Sequence, residues 1–212
     1  MFFLNNTDTL PDPSFANDDG LVAVGGTLTS QRLLEAYHKG IFPWYSEGQP
    51  VLWFSPDPRM VLLPEYLKIS KSMRSLFKNN AFEVTYNTCF SEVIRACATV
   101  YRKDQVGTWI TDDMIVAYEK LYNAGHVLSV EVWKDQELVG GLYGVYLKEK
   151  RVYCGESMFS YQSNASKYGF ISLVRKLETE NIKLIDCQMY TDHLASLGAF
   201  EIPRSEFLKF LE

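Results

Sequence analysis

Between Arg151 and Gln188 the chain reads strand, bend, helix, strand, with polar side chains set where the interior of a sheet wants none. Arg151-Val-Tyr-Cys-Gly-Glu-Ser-Met-Phe159 is an apolar, aromatic run broken at Gly155-Glu156-Ser157. Ser163 or Asn164 supplies a helix N-cap, after which Phe170, Ile171, Leu173, Val174 and Leu177 recur at helical spacing. Lys183-Leu-Ile-Asp-Cys-Gln188 follows as a short strand. Asp186 and Gln188 lie two residues apart, so a regular strand points both to one face. A carboxylate and an amide side by side in a sheet are costly unless something binds them. They, with Glu156, mark either a functional site or a local backbone-holding role.

The rest of the chain supplies a frame for that unit. Residues 1–20 read as loop, and Leu21-Val-Ala-Val24 as a short apolar strand. Thr29 caps a helix that Gly40 stops. Val51-Leu-Trp-Phe54 is a strand closed by Ser55-Pro-Asp-Pro-Arg59, whose prolines force an extended or turned corner. A domain boundary is expected there, giving residues 1–58 and 59–212. From residue 82 onward the order is strand, helix, helix, strand, strand, strand, helix, strand, helical turn, strand. Gly140-Gly141 inside one of these strands signals a bulge or a close approach. The fold class expected is α+β. A mixed sheet with flanking helices, in the element order of the acyl-CoA N-acyltransferase superfold, follows a small N-terminal α/β domain. That superfold cradles a pyrophosphate with a glycine-rich turn before its helix. Here the turn reads Ser160-Tyr-Gln-Ser-Asn-Ala165, without glycine, which argues against coenzyme A.

Charge and cysteine usage narrow the function classes. At a net charge of −5 the molecule as a whole does not attract nucleic acid, so such a partner needs a local basic patch. Lys68, Lys71, Arg74 and Lys78 share one face of a helix, with no acidic residue between Leu67 and Phe82. Cys89, Cys97, Cys154 and Cys187 lack CxxC spacing and read as buried thiols of a reducing cytoplasm. The three histidines lack metal-site spacing, and no segment reads as a signal peptide or a membrane span.

Six blocks, in order, carry a resemblance. They are Gly40-Ile-Phe-Pro-Trp44, Trp53-Phe-Ser-Pro-Asp-Pro-Arg59, Gly107-Thr-Trp-Ile-Thr111, Gly155-Glu-Ser-Met-Phe-Ser160, Ile185-Asp-Cys-Gln188 and His193-Leu-Ala-Ser-Leu-Gly-Ala199. Together they resemble the leucyl/phenylalanyl-tRNA–protein transferase family. The resemblance implies a cytoplasmic enzyme that moves Leu, Phe or Met from aminoacyl-tRNA to an N-terminal Arg or Lys. The product is marked for N-degron degradation. It also implies a small N-terminal domain, an acyltransferase-like catalytic domain, no cofactor and no metal; a monomer is the expected state. Phe54 stands where the family often has a second Trp, and Leu142 and Leu173 where better-known members carry Met and Phe.

The chemistry such an enzyme needs is modest, because aminolysis of an activated ester runs downhill once the reactants are positioned. An α-amine has a pKa near ~8, whereas an ordinary Asp, near ~4, is a poor base at neutral pH. In the division the resemblance implies, Asp186 polarises and orients Gln188, whose carbonyl hydrogen-bonds the amine. A separate hypothesis has the ribose hydroxyl of the terminal adenosine complete the proton transfer. Trp44 and Trp109 are candidate stacking platforms for the terminal adenine, with core packing as the alternative. Glu156 and Ser157 are candidates for binding the aminoacyl ammonium or the basic acceptor residue. Leu142, Phe170 and Leu173 are candidates for the aminoacyl side-chain pocket, and Lys71, Arg74 and Lys78 for tRNA phosphates. Two rivals stand beside this reading: a coenzyme A-dependent N-acetyltransferase, and a non-catalytic protein that binds RNA ends.

Overall fold

The computed structural model describes residues 2–100 and 108–212; Gly107 of the third motif lies outside the described residues. Two sheets carry the chain. The first has the order β1-β2-β4-β3, from β1 (Phe2–Leu4), β2 (Leu21–Gly25), β3 (Phe42–Pro43) and β4 (Leu52–Phe54), with helix α1 (Ser30–His38) between β2 and β3. Thr29 caps α1 through its side chain, which accepts from the Arg32 N–H, and Gly40 leaves the helix at φ 69°. The expectation of loop throughout residues 1–20 is corrected at β1. Three residues there pair parallel with β2, Phe2 opposite Ala23, too short a run for alternation to reveal.

The second sheet has seven strands in the order β11-β5-β10-β9-β8-β7-β6. They are β5 (Arg59–Leu62), β6 (Glu83–Tyr86), β7 (Val127–Lys134), β8 (Glu137–Leu147), β9 (Val152–Ser160), β10 (Leu184–Gln188) and β11 (Phe200–Ile202). Helices α2 (Lys71–Lys78), α3 (Phe90–Thr99), α4 (Asp112–Asn123), α5 (Ala165–Thr179), α6 (Asp192–Ser196) and α7 (Arg204–Leu208) surround it. The architecture is mixed α+β, and from residue 82 to residue 202 the element order matches the sequence reading. β9 and β10 form the parallel pair, with α5 as the crossover that such pairing requires. All other pairs in this sheet are antiparallel. Strands β3 and β5 and helix α7 were not anticipated. β5 is fully buried between β11 and β10, but its four residues directly follow two prolines, and only the corner was legible.

Helices cover both faces of the large sheet. On one side α5 packs Phe170, Ile171, Val174 and Leu177 into a core with Val130, Val132, Leu142 and Ile185. On the other, α3 and α4 meet the sheet in a core that continues without a break into α1 and the small sheet, through Leu33, Tyr37, Phe42 and Trp53. Gly140 is a point of close approach between the sheet and α5: a Cβ there would stand 2.7 Å from Ala165 Cβ. The bulge expected near this glycine falls one residue earlier, where β8 slips against β7 between Leu138 and Gly140.

Other local expectations shift. Helix α2 starts at Lys71 with Ser70 as its N-cap, so Lys68 precedes it rather than sharing its face. Asn164 takes the N-cap position of α5 but with left-handed backbone, φ 69°, and no side-chain cap bond. Ser160 Oγ instead accepts from the Ser166 N–H at 3.3 Å. All four cysteines are free thiols, three buried and Cys89 partly so. No helix among the described residues is long and apolar enough to cross a membrane.

Candidate active site

Two bulges on neighbouring strands make the site. β9 slips against β8 between Tyr143 and Gly144, so that Tyr143 faces Ser157, Gly144 faces Gly155, and Glu156 is the extra residue. β10 slips against β5 in the same way and leaves Cys187 unopposed, with Gln188 at φ 63°. The parallel pairing of β9 and β10 ends at Cys154 and Asp186. Beyond that point the strands part, and a cleft opens at their carboxyl ends, the usual ligand position in sheets with parallel pairs.

The cleft has a volume of about 860 Å³. Trp44 and Trp109 line it, Trp44 40% exposed and edge-on to Phe54 at 5.6 Å, Trp109 partly buried. Leu142, Met158, Phe170 and Ile185 give it an apolar wall. Glu156, Ser157, Asp186 and Gln188 bring polar groups to the same space. Leu173 does not reach it: that side chain is fully buried in the core beneath α5, and its pocket assignment is corrected. Helical spacing alone cannot separate a pocket-facing from a core-facing residue on a helix buried this deeply. Lys71, Arg74 and Lys78 lie outside the cleft, exposed on α2. α2 is tied to α5 by Phe77 stacked on Tyr168 at 3.9 Å.

The carboxylates are held by partners the sequence did not suggest. Asp186 is completely buried and receives Arg59 Nε and Nη2 at 2.7 Å each, a two-pronged ion pair. Arg59 lies between the rings of Phe42 and Phe207, 4.9 and 4.5 Å from their centres, and donates Nη1 to the Gly40 carbonyl at 3.2 Å. Burial alone lowers the guanidinium pKa, but Asp186 outweighs it and the net shift is upward. Asp186 Oδ1 also accepts the Gln188 backbone N–H at 2.9 Å. Asp186 therefore meets Gln188 through its backbone N–H.

The Gln188 side chain is held by Glu156, with Nε2 donating to Oε1 at 2.8 Å. Tyr118 Oη donates to Glu156 Oε2 at 2.8 Å, and Tyr37 is hydrogen-bonded to Tyr118. Burial raises the Glu156 pKa to about 7; Tyr37 and Tyr118 pull it down, Asp186 pushes it up and Gln188 pulls it down. Both Glu156 oxygens thus accept from internal donors, Gln188 Nε2 and Tyr118 Oη, while the residue still lines the cleft. Arg59, Tyr37 and Tyr118 are the functional neighbours that the sequence reading missed. His193 is another. It lines the cleft, its Nε2 is buried with no hydrogen-bond partner among the described residues, and burial, then Lys167, lowers its pKa. Among the described residues no group of three or more His, Cys, Asp or Glu could hold a metal ion. At the start of α5 the N–H groups of Ala165 and Ser166 are taken by the Gln162 carbonyl and Ser160 Oγ, so they do not form an open anion cradle.

Residues 61–212 match the family model described as leucyl/phenylalanyl-tRNA protein transferase, and residues 26–57 match that family's N-terminal domain. A protein named leucyl/phenylalanyl-tRNA–protein transferase from Christiangramia forsetii is 62% identical over 211 residues, covering 100% of both chains. A second, from Flavobacterium psychrophilum, is 53% identical over 212 residues, again covering 100% of each. A third, from Flavobacterium johnsoniae, is 52% identical over 212 residues, covering 100% of this chain and 99% of the relative.

Proposed function

This chain belongs to the leucyl/phenylalanyl-tRNA–protein transferase family and is an aminoacyltransferase, and on that footing we propose that its cleft joins Leu, Phe or Met from aminoacyl-tRNA to the N-terminal Arg or Lys of a protein. The product is then marked for N-degron degradation in the cytoplasm. In this reading the acyltransferase-like unit is residues 59–212, and residues 1–58 form a smaller unit that contributes Trp44.

The observation that carries the reading is the Gln188 amide. Its nitrogen end is engaged by Glu156, which leaves its carbonyl oxygen as the end free to face the cleft. A neutral amine donates an N–H to that oxygen and keeps its lone pair for the aminoacyl ester carbon. The C–N bond forms, the ester C–O bond to the terminal ribose breaks, and the amine proton goes to the departing ribose oxygen through the adjacent hydroxyl. Asp186 contributes by holding the Gln188 backbone against the Arg59 ion pair. Trp44 and Trp109 stack on the terminal adenine. Leu142 and Phe170 receive the aminoacyl side chain in an apolar wall, and apolar fit separates side chains differing by one methylene by only ~1–3 kcal/mol. Ser157, on the cleft wall, contributes to substrate binding. Lys71, Arg74 and Lys78 meet tRNA phosphates with sequence-independent affinity, which suits an enzyme that accepts several tRNAs.

Transfer of labelled leucine from Leu-tRNA to peptides beginning with Arg, Asp or Glu tests the reading. Transfer to the Arg peptide alone supports it. Preference for an acidic N-terminus would overturn the acceptor assignment, and tRNA binding without transfer would overturn the catalytic one.

A further inference from the structure

We propose that Glu156, fixed by Tyr118 and Tyr37, is the positioning residue that decides which end of the Gln188 amide faces the cleft. The inference rests on the reading that the Gln188 carbonyl receives the acceptor amine.

An ionised carboxylate accepts hydrogen bonds and donates none. Opposite Glu156 Oε1 the Gln188 amide must therefore present its NH₂, as it does at 2.8 Å, and its oxygen is turned the other way. A protonated Glu156 has an O–H that needs an acceptor. Two groups could turn to receive it: the Tyr118 hydroxyl on Oε2 or the Gln188 amide on Oε1. The tyrosine side resists. Tyr118 donates to Glu156, so Tyr37 donates to Tyr118, and both side chains are fully buried. Reversing that chain means turning two fully buried hydroxyls together, whereas the Gln188 side chain is only half-buried at the cleft. Gln188 is the yielding end: a half-turn of its amide gives the new proton an oxygen and aims the NH₂ at the cleft. An NH₂ cannot accept from the incoming amine, so positioning fails.

The groups around Glu156 come from four further elements: Tyr37 on α1, Tyr118 on α4, Asp186 with Gln188 on β10, and Arg59 on β5, whose charge is spent on Asp186. The Glu156 pKa of about 7 puts the changeover in the neutral range. Sign follows from the donors. Each phenol stabilises the charged carboxylate, so losing one raises the pKa and moves the loss of activity to higher pH.

The experiment measures kcat/KM for leucine transfer to an Arg peptide from pH 5.5 to 9 (a window of about 3.5 units around the Glu156 and amine values). It compares the native enzyme with Tyr118→Phe, Tyr37→Phe and Glu156→Gln. The acceptor amine titrates identically in all four and cancels. The expected result is an acid limb displaced upward by about one pH unit in Tyr37→Phe and in Tyr118→Phe alike. Glu156→Gln should lose that limb and fall about tenfold or more at its best pH. Limbs that coincide in native and Phe variants would overturn the inference while leaving the transferase reading intact. A native enzyme with no transfer at any pH would instead bring down that reading. Should the Phe variants not fold, the Gln188 side-chain amide resonances of the native protein decide. A shift that titrates near neutrality supports the inference, and resonances unchanged across the range overturn it.

Discussion

Replacing Arg59 by Met removes the cation paired with Asp186. The carboxylate is 0% exposed, and it would keep only neutral partners among the described residues, the Gln188 N–H and the Cys154 thiol. Breaking one side of a buried ion pair costs about 3–5 kcal/mol, because the remaining charge stays desolvated. The stacking of the guanidinium between Phe42 and Phe207 is lost as well, although the Met side chain refills part of that space. In a chain of 212 residues each kcal/mol lowers Tm by roughly 2–4 °C, so the variant should melt roughly 6–20 °C below the native protein. Thermal unfolding followed by circular dichroism, with urea titration at 25 °C, measures both numbers. The companion Arg59→Met/Asp186→Leu removes both charges, and a well-packed apolar pair is often neutral relative to the ion pair. It should therefore be more stable than Arg59→Met alone. A loss below about 1 kcal/mol in the single variant, or a double variant whose loss is the sum of the two singles, would refute the argument that Asp186 is held as a buried charge.

Three further outcomes are expected. Trp44→Ala should raise the KM for aminoacyl-tRNA by roughly 5- to 150-fold, the equivalent of ~1–3 kcal/mol of stacking, with Tm unmoved because Trp44 is 40% exposed; a lost fold would return it to the core. The triple change Lys71→Ala, Arg74→Ala, Lys78→Ala should flatten the plot of log affinity against log salt by about 2 to 3 in slope, and an unchanged slope would take α2 off the phosphates. Gly140→Ala should destabilise by about 1–3 kcal/mol in urea titration, since its Cβ would stand 2.7 Å from Ala165 Cβ and 3.2 Å from the Ala165 carbonyl carbon; a native midpoint would show that the sheet and α5 can give way.

The element order was legible where periodicity ran long, through α3, α4, the β7–β8 hairpin, and the strands and helix from Val152 to Gln188. It failed at β1, β3, β5 and α7, which span two to five residues and carry too few side chains to show a period. Glu156, Asp186 and Gln188 stood out because polar groups inside apolar strands need an explanation, and all three line the cleft. Their partners did not stand out. Arg59 lies 127 residues from Asp186, and its arginine read as the end of a proline-bound corner. Tyr118 lies 38 residues from Glu156, on a helix where it counted as one apolar residue in a stripe. A bulge between Asp186 and Gln188 then broke the two-residue alternation on which the same-face reading rested. Bulges leave no period in a single sequence. Leu173 failed for the opposite reason, since its pattern is equally that of a packed core.

The hydrogen bond between Tyr37 and Tyr118 joins helix α1 beside the small sheet to helix α4 on the large one, and a continuous core runs beneath it. A recombinant protein that took residues 1–58 from one relative and the remainder from another would thus be joining halves of a single mould. Its success would depend less on how the junction at Asp57 and Pro58 is sewn than on whether Tyr37, Phe42 and the Gly40 carbonyl arrive in register with Tyr118 and Arg59. Modular exchange, ordinarily easiest where the chain makes a stiff corner, is here limited by side chains far from the seam.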